Sequence, residues 1–450
     1  MALLSFLDRE HSVAPPGYSR WLVPPAALAI HLCIGQAYAF SVFNIPMTRL
    51  LGITAPAAED WSLIALGRIF SIALAMLGLS AAMFGKWLEK VGPRRAMAAA
   101  TACFAGGFFI AAIGVKLHQI ALVYLGYGVI GGIGLGLGYI SPVSTLIKWF
   151  PDRPGMATGM AIMGFGGGAM IGSPLSVFLM DRFKTAASMG VMETFVAMGL
   201  IYGVFMLFGV LTVRIPPPGW KPEGYIPPAQ PKKLVTTANV EVGHAWRTPQ
   251  FWMLWGVLCM NVTAGIGVLG QASPMIQEMF PGRITPAAAA GFVGLLSLFN
   301  LVGRFFWSSL SDPLGRKRTY MIYFLLGTAL YALVPTFGRM GSVVFFVAGF
   351  CVILSMYGGG FATIPAYLRD LFGTLHVSAI HGRLLTAWSV AAVLGPELVG
   401  NIRKYQIDHK VPNAEAYSVT MYIMAGLLVV GLISNALVSE VDRKYHCVET

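Results

Sequence analysis

Arg304 is the side chain best placed to do chemistry. It sits in a long apolar run that holds no acidic residue. A charge in such a run is costly in hydrocarbon, so it faces a cavity or a partner from elsewhere in the fold. The arginine fork matches a carboxylate through two parallel hydrogen bonds. Asn300, four residues earlier, shares its helical face and can add a donor to the same anion. The competing use of Arg304 is a structural ion pair with an acid on another helix. Glu397 is the one acid expected inside an apolar run, and reads either as a proton carrier or as the partner of Arg403. His31 lies deep in the first run, where an imidazole can exchange a proton near neutral pH, touch a substrate, or pack through a hydrogen bond. His381 opens a later run, and Arg68 reads either as snorkelling outward or as a partner for Glu59 or Asp60.

A second constellation repeats. Gly85, Glu89, Gly92, Arg94 and Arg95 recur as Ser308, Asp312, Gly315, Lys317 and Arg318, each pair 223 residues apart, with Arg316 beside Lys317 in the second copy. An acid, a glycine and two cations at the mouth of an apolar run can form charge pairs and cap helix ends. That is chemistry for a gate, and these residues are the expected gating loops. Pro142 and Pro365 keep the same offset, and Pro174 and Pro396 miss it by one residue. Coincidences at one offset point to two related halves, a signature of secondary transporters.

Membrane helices must hold these residues. Of 450 residues, 56% are hydrophobic and 11% charged, against about a quarter charged in soluble domains. Apolar runs of about 20 residues span a bilayer. Twelve can be marked, at 22–44, 63–84, 96–115, 119–147, 155–178, 192–213, 249–275, 286–308, 319–337, 341–366, 378–400 and 418–438. The expected fold class is an all-α membrane protein with twelve transmembrane helices in two six-helix bundles, residues 1–213 and 249–450, joined by a proline-rich cytoplasmic linker at 214–248. With both termini cytoplasmic, 19 basic residues fall on the cytoplasmic side and 9 opposite, the bias that sets this orientation. The net charge of +12 then reflects loop topology and no nucleic-acid partner is expected. The first twenty residues carry acids and prolines where a signal peptide would be apolar. The five cysteines have no CxxC or Cys/His spacing, so neither a metal site nor a disulfide framework is expected. The glycine-rich stretches Gly126–Gly138 and Gly164–Gly168 lie inside apolar runs with no preceding strand. They serve helix packing and not nucleotide binding. No cofactor and no enzymatic constellation is expected.

The two motif copies resemble the signature of the major facilitator superfamily, Gly-x-x-x-Asp/Glu-x-x-Gly-Arg/Pro-Arg/Lys-Arg/Lys, with Ser308 in place of the first glycine of the second copy. Within it, Gly35–Phe43, Gly138–Gly155, the Pro-Pro-Gly-Trp linker segment and Asn300-x-x-Gly-Arg304 resemble the oxalate/formate antiporter family of monocarboxylate-type carriers. The resemblance implies that Arg304 binds the substrate carboxylate and that Tyr139 and Tyr357 face the pore, with Tyr38, Gln36, Asn261 and Trp388 as lesser candidates. Related carriers often have an aspartate at the position of Asn300, linked to proton coupling. Carriers of the dianion oxalate have a lysine in a Thr-Ala-Lys pattern where this chain has Thr386-Ala387-Trp388. One central positive charge suits one carboxylate, since a dianion would keep a charge uncompensated in a low-dielectric cavity. The expected function is alternating-access transport of a small monocarboxylate such as lactate, pyruvate, formate or acetate. It would run by proton symport or anion exchange, in the cytoplasmic membrane, through a monomeric unit. Transport of another small anion such as nitrate or oxalate, or anion sensing without transport, is the alternative.

Overall fold

The computed structural model describes residues 5–225, 234–269, 271–412, 415 and 417–447. Linker residues 226–233, with Lys232 and Lys233 of the orientation argument, lie outside the described residues. Among the described residues, twelve helices are long and apolar enough to cross a membrane. They are α1 (Arg20–Met47), α2 (Leu63–Val91), α3 (Pro93–Lys116), α4 (Ile120–Trp149), α5 (Pro154–Phe183), α6 (Val191–Thr212), α7 (Pro249–Leu269), α8 (Pro286–Leu314), α9 (Arg316–Arg339), α10 (Val343–Phe372), α11 (Val377–Gln406) and α12 (Ser418–Leu437). Local signals set several ends. Ser62, Thr285 and Ser342 each accept a hydrogen bond from the amide three residues on, at the starts of α2, α8 and α10, which satisfies one of the free donors there.

The repeated charged stretch is mostly helix, where the sequence suggested a loop. α2 runs through Glu89 to Val91 and α8 through Asp312 to Leu314. Only Gly92 and Gly315, at φ 85° and 91°, separate them from α3 and α9. That left-handed conformation is open to glycine at little cost, so one residue makes the turn. The seventh run is also shorter than expected: α7 ends at Leu269, and a separate short helix, Ala272–Met279, follows. Three spans are irregular inside. In α1, helix Pro24–Ile34 gives way to a 3-10 segment, Gly35–Phe43. In α4, Tyr124–Gly131 winds as a π-helix. α11 breaks at Leu385, between Val377–Leu384 and Thr386–Asp408.

The chain forms two compact units. The first comprises Met1–Asp152, Met160–Ile226 and Ser378–Ser389; the second comprises Arg153–Gly159, Pro227–Val377 and Val390–Thr450. In the first, α2 packs on α4, α3 on α6 and α4, and α1 on α6 and α4. In the second, α8 packs on α10, α9 on α12 and α10, and α7 on α12 and α10. These are the same pairings moved along by six helices, so the repeat in sequence is also a repeat in packing. Glycines allow close approaches. A Cβ on Gly136 would stand 2.4 Å from the Leu77 carbonyl oxygen, and one on Gly303 2.2 Å from that of Ser355.

Candidate functional site

In the second unit the predicted residues gather where α8 meets α10. Arg304 is fully buried. Its Nε donates to Asn300 Oδ1 at 3.1 Å, and its guanidinium lies 5.2 Å from the Phe361 ring. Asn300 therefore orients the arginine through its amide oxygen. Tyr357, buried one turn before Phe361, meets that ring edge-on at 5.3 Å. The glycines Gly358 to Gly360 let neighbouring helices reach this stretch. A Cβ on Gly358 would lie 2.3 Å from the Asn300 carbonyl oxygen, and one on Gly360 2.5 Å from Asn261 Oδ1.

In the first unit His31 and Tyr139 come together, with ring centroids 5.5 Å apart. Nδ1 of His31 lies 3.2 Å from the Ala27 carbonyl oxygen. Tyr139 also touches Phe165 at 5.5 Å, Trp388 at 5.4 Å and His381 at 5.9 Å. All five of these side chains are buried, and Tyr38 adds an edge contact to Phe165 at 5.0 Å. His381 was legible only as the start of a run. Its place against Tyr139 depends on Ser378–Ser389 joining the first unit, which no local signal announces. Nε2 of His381 has no hydrogen-bond partner among the described residues.

Two expectations need correction. Arg403 pairs with Glu278 of the short helix Ala272–Met279, its Nε at 3.2 Å and its Nη2 in a closer contact. Tyr417 donates to the same carboxylate at 2.9 Å. Glu397 is not that partner: it lies on an exposed face of α11 and accepts from Asn401 Nδ2 at 3.4 Å. Asp60 does not serve Arg68, which is exposed. The Asp60 carboxylate accepts from the amides of Leu51, Gly52 and Ala57 at 2.9, 3.1 and 2.9 Å, closing its own loop.

The repeated acids act as helix caps. Asp312 accepts from the amides of Gly155 and Met156 at 2.8 and 2.9 Å, at the start of α5. Glu89 accepts from the amide of Ala379 at 3.1 Å, at the start of α11. Met156 and Ala379 are themselves 223 residues apart, so the capped amide repeats along with the acid. A carboxylate at a helix N-terminus gains from the free amides and the helix dipole. Space at this contact is made on opposite sides in the two copies. Gly85 sits 2.7 Å (as Cβ) from Ala379 Cα, whereas Ser308 is accommodated because Gly155 and Gly159 face it.

The cations diverge. Arg94 donates to the carbonyls of Phe6 and His11 at 3.2 and 2.9 Å, and Arg95 pairs with Asp8. Lys317 donates to the carbonyls of Ala436 and Val438 at 2.7 Å each, at the end of α12, where a cation complements the dipole. Arg316 bridges Asp312 at 2.6 Å and Asp370 at 3.1 Å. The corresponding positions in the first half are Pro93 and Ile147, so this bridge belongs to the second copy alone.

Known proteins resemble this chain in sequence and in fold. The chain is 27% identical over 378 residues to the oxalate:formate antiporter of Oxalobacter formigenes, across 84% of this chain and 83% of that protein. It is 23% identical over 501 aligned positions to apicoplast pyruvate carrier 1 of Toxoplasma gondii, across 93% of this chain and 88% of that one. Its fold superposes with a TM-score of 0.64 on the transporter FucP in an outward conformation, at 16% identity, covering 93% of this chain and all of that chain. The family profile described as Major Facilitator Superfamily matches residues 27–396. Together with the twelve apolar helices, that match places the chain in the Major Facilitator Superfamily, as a multi-pass membrane protein.

Proposed function

We propose that this protein carries small monocarboxylate anions across the cytoplasmic membrane by alternating access, with both termini in the cytoplasm and a single chain as the working unit. Its halves are 1–213 and 249–450, and its coupling is proton symport or anion exchange. Arg304 carries this reading: a guanidinium buried inside a span and aimed by a neutral amide. It is a ready receptor for one carboxylate. Asn300 and Tyr357 in the second unit, and Tyr139 and His31 in the first, are the further substrate-binding candidates. Glu397 and His31 are the proton-coupling candidates. The capping carboxylates Glu89 and Asp312, with Gly85, Gly92, Arg94, Arg95, Gly315, Arg316 and Lys317, form the gate. The names of the antiporter and of the pyruvate carrier support a carboxylate as cargo.

The experiment is uptake of labelled formate, lactate and pyruvate into proteoliposomes. Arg304→Ala and Arg304→Lys are expected to cut the initial rate about 100-fold, the scale of a lost charge-assisted pair, with normal membrane insertion. Uptake by Arg304→Ala at the wild-type rate refutes the role of Arg304. Oxalate exchange as fast as lactate exchange refutes the restriction to one carboxylate.

A further inference from the structure

Two stretches of the first unit depart from α-helical winding, and one side-chain hydrogen bond joins them. Gly35–Phe43 is a nine-residue 3-10 segment in the middle of α1, and Tyr124–Gly131 is an eight-residue π segment in α4. Runs of 3-10 helix beyond about four residues are uncommon, and both windings inside longer helices mark hinges and functional places. Tyr127, from the π segment, donates to Gln36 Oε1, from the 3-10 segment, at 2.9 Å. Both are buried. The Tyr127 ring also lies 4.4 Å from that of Phe40 in the same 3-10 segment. Nε2 of Gln36 is buried without a hydrogen-bond partner among the described residues, so this amide keeps a donor available for a different arrangement.

The repeat supplies an internal comparison. At the 223-residue offset, Gln36 and Tyr127 become Cys259 and Phe350, which cannot make this bond. The matching stretches, 258–266 and 347–354, lie within the regular α-helices α7 and α10. Related spans in one chain thus wind irregularly where the polar pair is present and regularly where it is absent.

We propose that Gln36 and Tyr127 form a latch that couples the two irregular segments into one hinge, so that α1 and α4 rewind together. The excursion is large enough to matter: nine residues passing from 3-10 to α-helix shorten a span by about 4.5 Å, from the difference in rise per residue. The hinge does not depend on which anion is carried.

Hydrogen–deuterium exchange on the full chain in lipid nanodiscs tests this without a substrate. In the wild type, amides of 35–43 and 124–131 are expected to exchange about tenfold or more faster than those of 258–266 and 347–354. Tyr127→Phe keeps the ring contacts and removes the hydroxyl. It is expected to change exchange in both irregular segments by a similar factor and leave the two regular ones alone. Gln36→Met breaks the same bond from the other side and serves if Tyr127→Phe does not insert. Equal protection of all four stretches in the wild type overturns the hinge. A variant that alters only its own segment, or neither, overturns the latch.

Discussion

Arg304 has a neutral amide at its Nε, and that choice of neighbour is open to a direct test. Asn300→Asp would put a carboxylate within hydrogen-bonding reach of Nε, where the amide oxygen now sits at 3.1 Å. It would turn the proposed receptor into a structural pair. The variant is expected to melt higher than wild type and to lose the stabilisation that millimolar lactate or formate gives, as read by a thermal-shift series. Retained stabilisation would mean that Arg304 is not where the anion binds. Asp60 makes a separate prediction. Burial pushes its carboxyl up, but the amides of Ala57, Leu51 and Gly52 outweigh that and hold it below the usual carboxylate range. A group depressed in this way stabilises the fold above its unfolded value and loses that contribution as pH falls through its folded value. Asp60→Asn is therefore expected to lower the melting temperature at pH 7, with the difference from wild type closing below pH ~4. Single residues were partly legible in the sequence. A buried arginine stands out in an apolar run, but the surroundings of a charged residue do not: the partner of Arg403 is 125 residues away, and the acid nearest along α11, Glu397, is exposed and bonded to Asn401 instead.

At the scale of elements, the site depends on how closely α10 lies on α8. Gly358→Ala would drive a methyl into the backbone and side chain of Asn300. It is expected to destabilise by about 1–3 kcal/mol and to abolish the thermal shift with anion, while Gly291→Ala, in open space on α8, leaves both unchanged. The caps carry a prediction of their own. Asp312→Asn weakens two amide contacts and leaves Arg316 with Asp370 as its remaining carboxylate among the described residues. A cost of about 3 kcal/mol is expected, on the scale of breaking a buried pair, as a lowered melting temperature. Helix positions were readable because about 20 apolar residues leave few alternatives in a bilayer. The windings of α1 and α4 were not, because they go with a hydrogen bond between residues 91 positions apart. The repeated charged stretch was half readable: the acids and glycines repeat visibly, but the amides the acids cap belong to helices whose apolar sequence carries no mark of it.

At the scale of the whole molecule, the basic residues predict orientation. A protease site appended after Thr450 is expected to be cut in inside-out vesicles and protected in right-side-out ones, and the reverse result would invert the assigned topology. The packing repeat shows why duplication of a six-helix plan was visible in the sequence at all. The offset survives at the turn-forming glycines, the capping acids and the interior prolines, where backbone geometry leaves little freedom, and it fades elsewhere. The composition of the two units has a further consequence, for biosynthesis. Ribosomes deliver this chain from its N-terminus, and the first unit contains Ser378–Ser389. Six helices can enter the bilayer early, yet the unit they begin lacks its last piece until more than four-fifths of the protein has been translated. The nascent first half must wait in the membrane with the bed for that piece, lined by Gly78, Ala81 and Gly85, still uncovered, a period in which insertion chaperones and quality-control proteases have their opportunity.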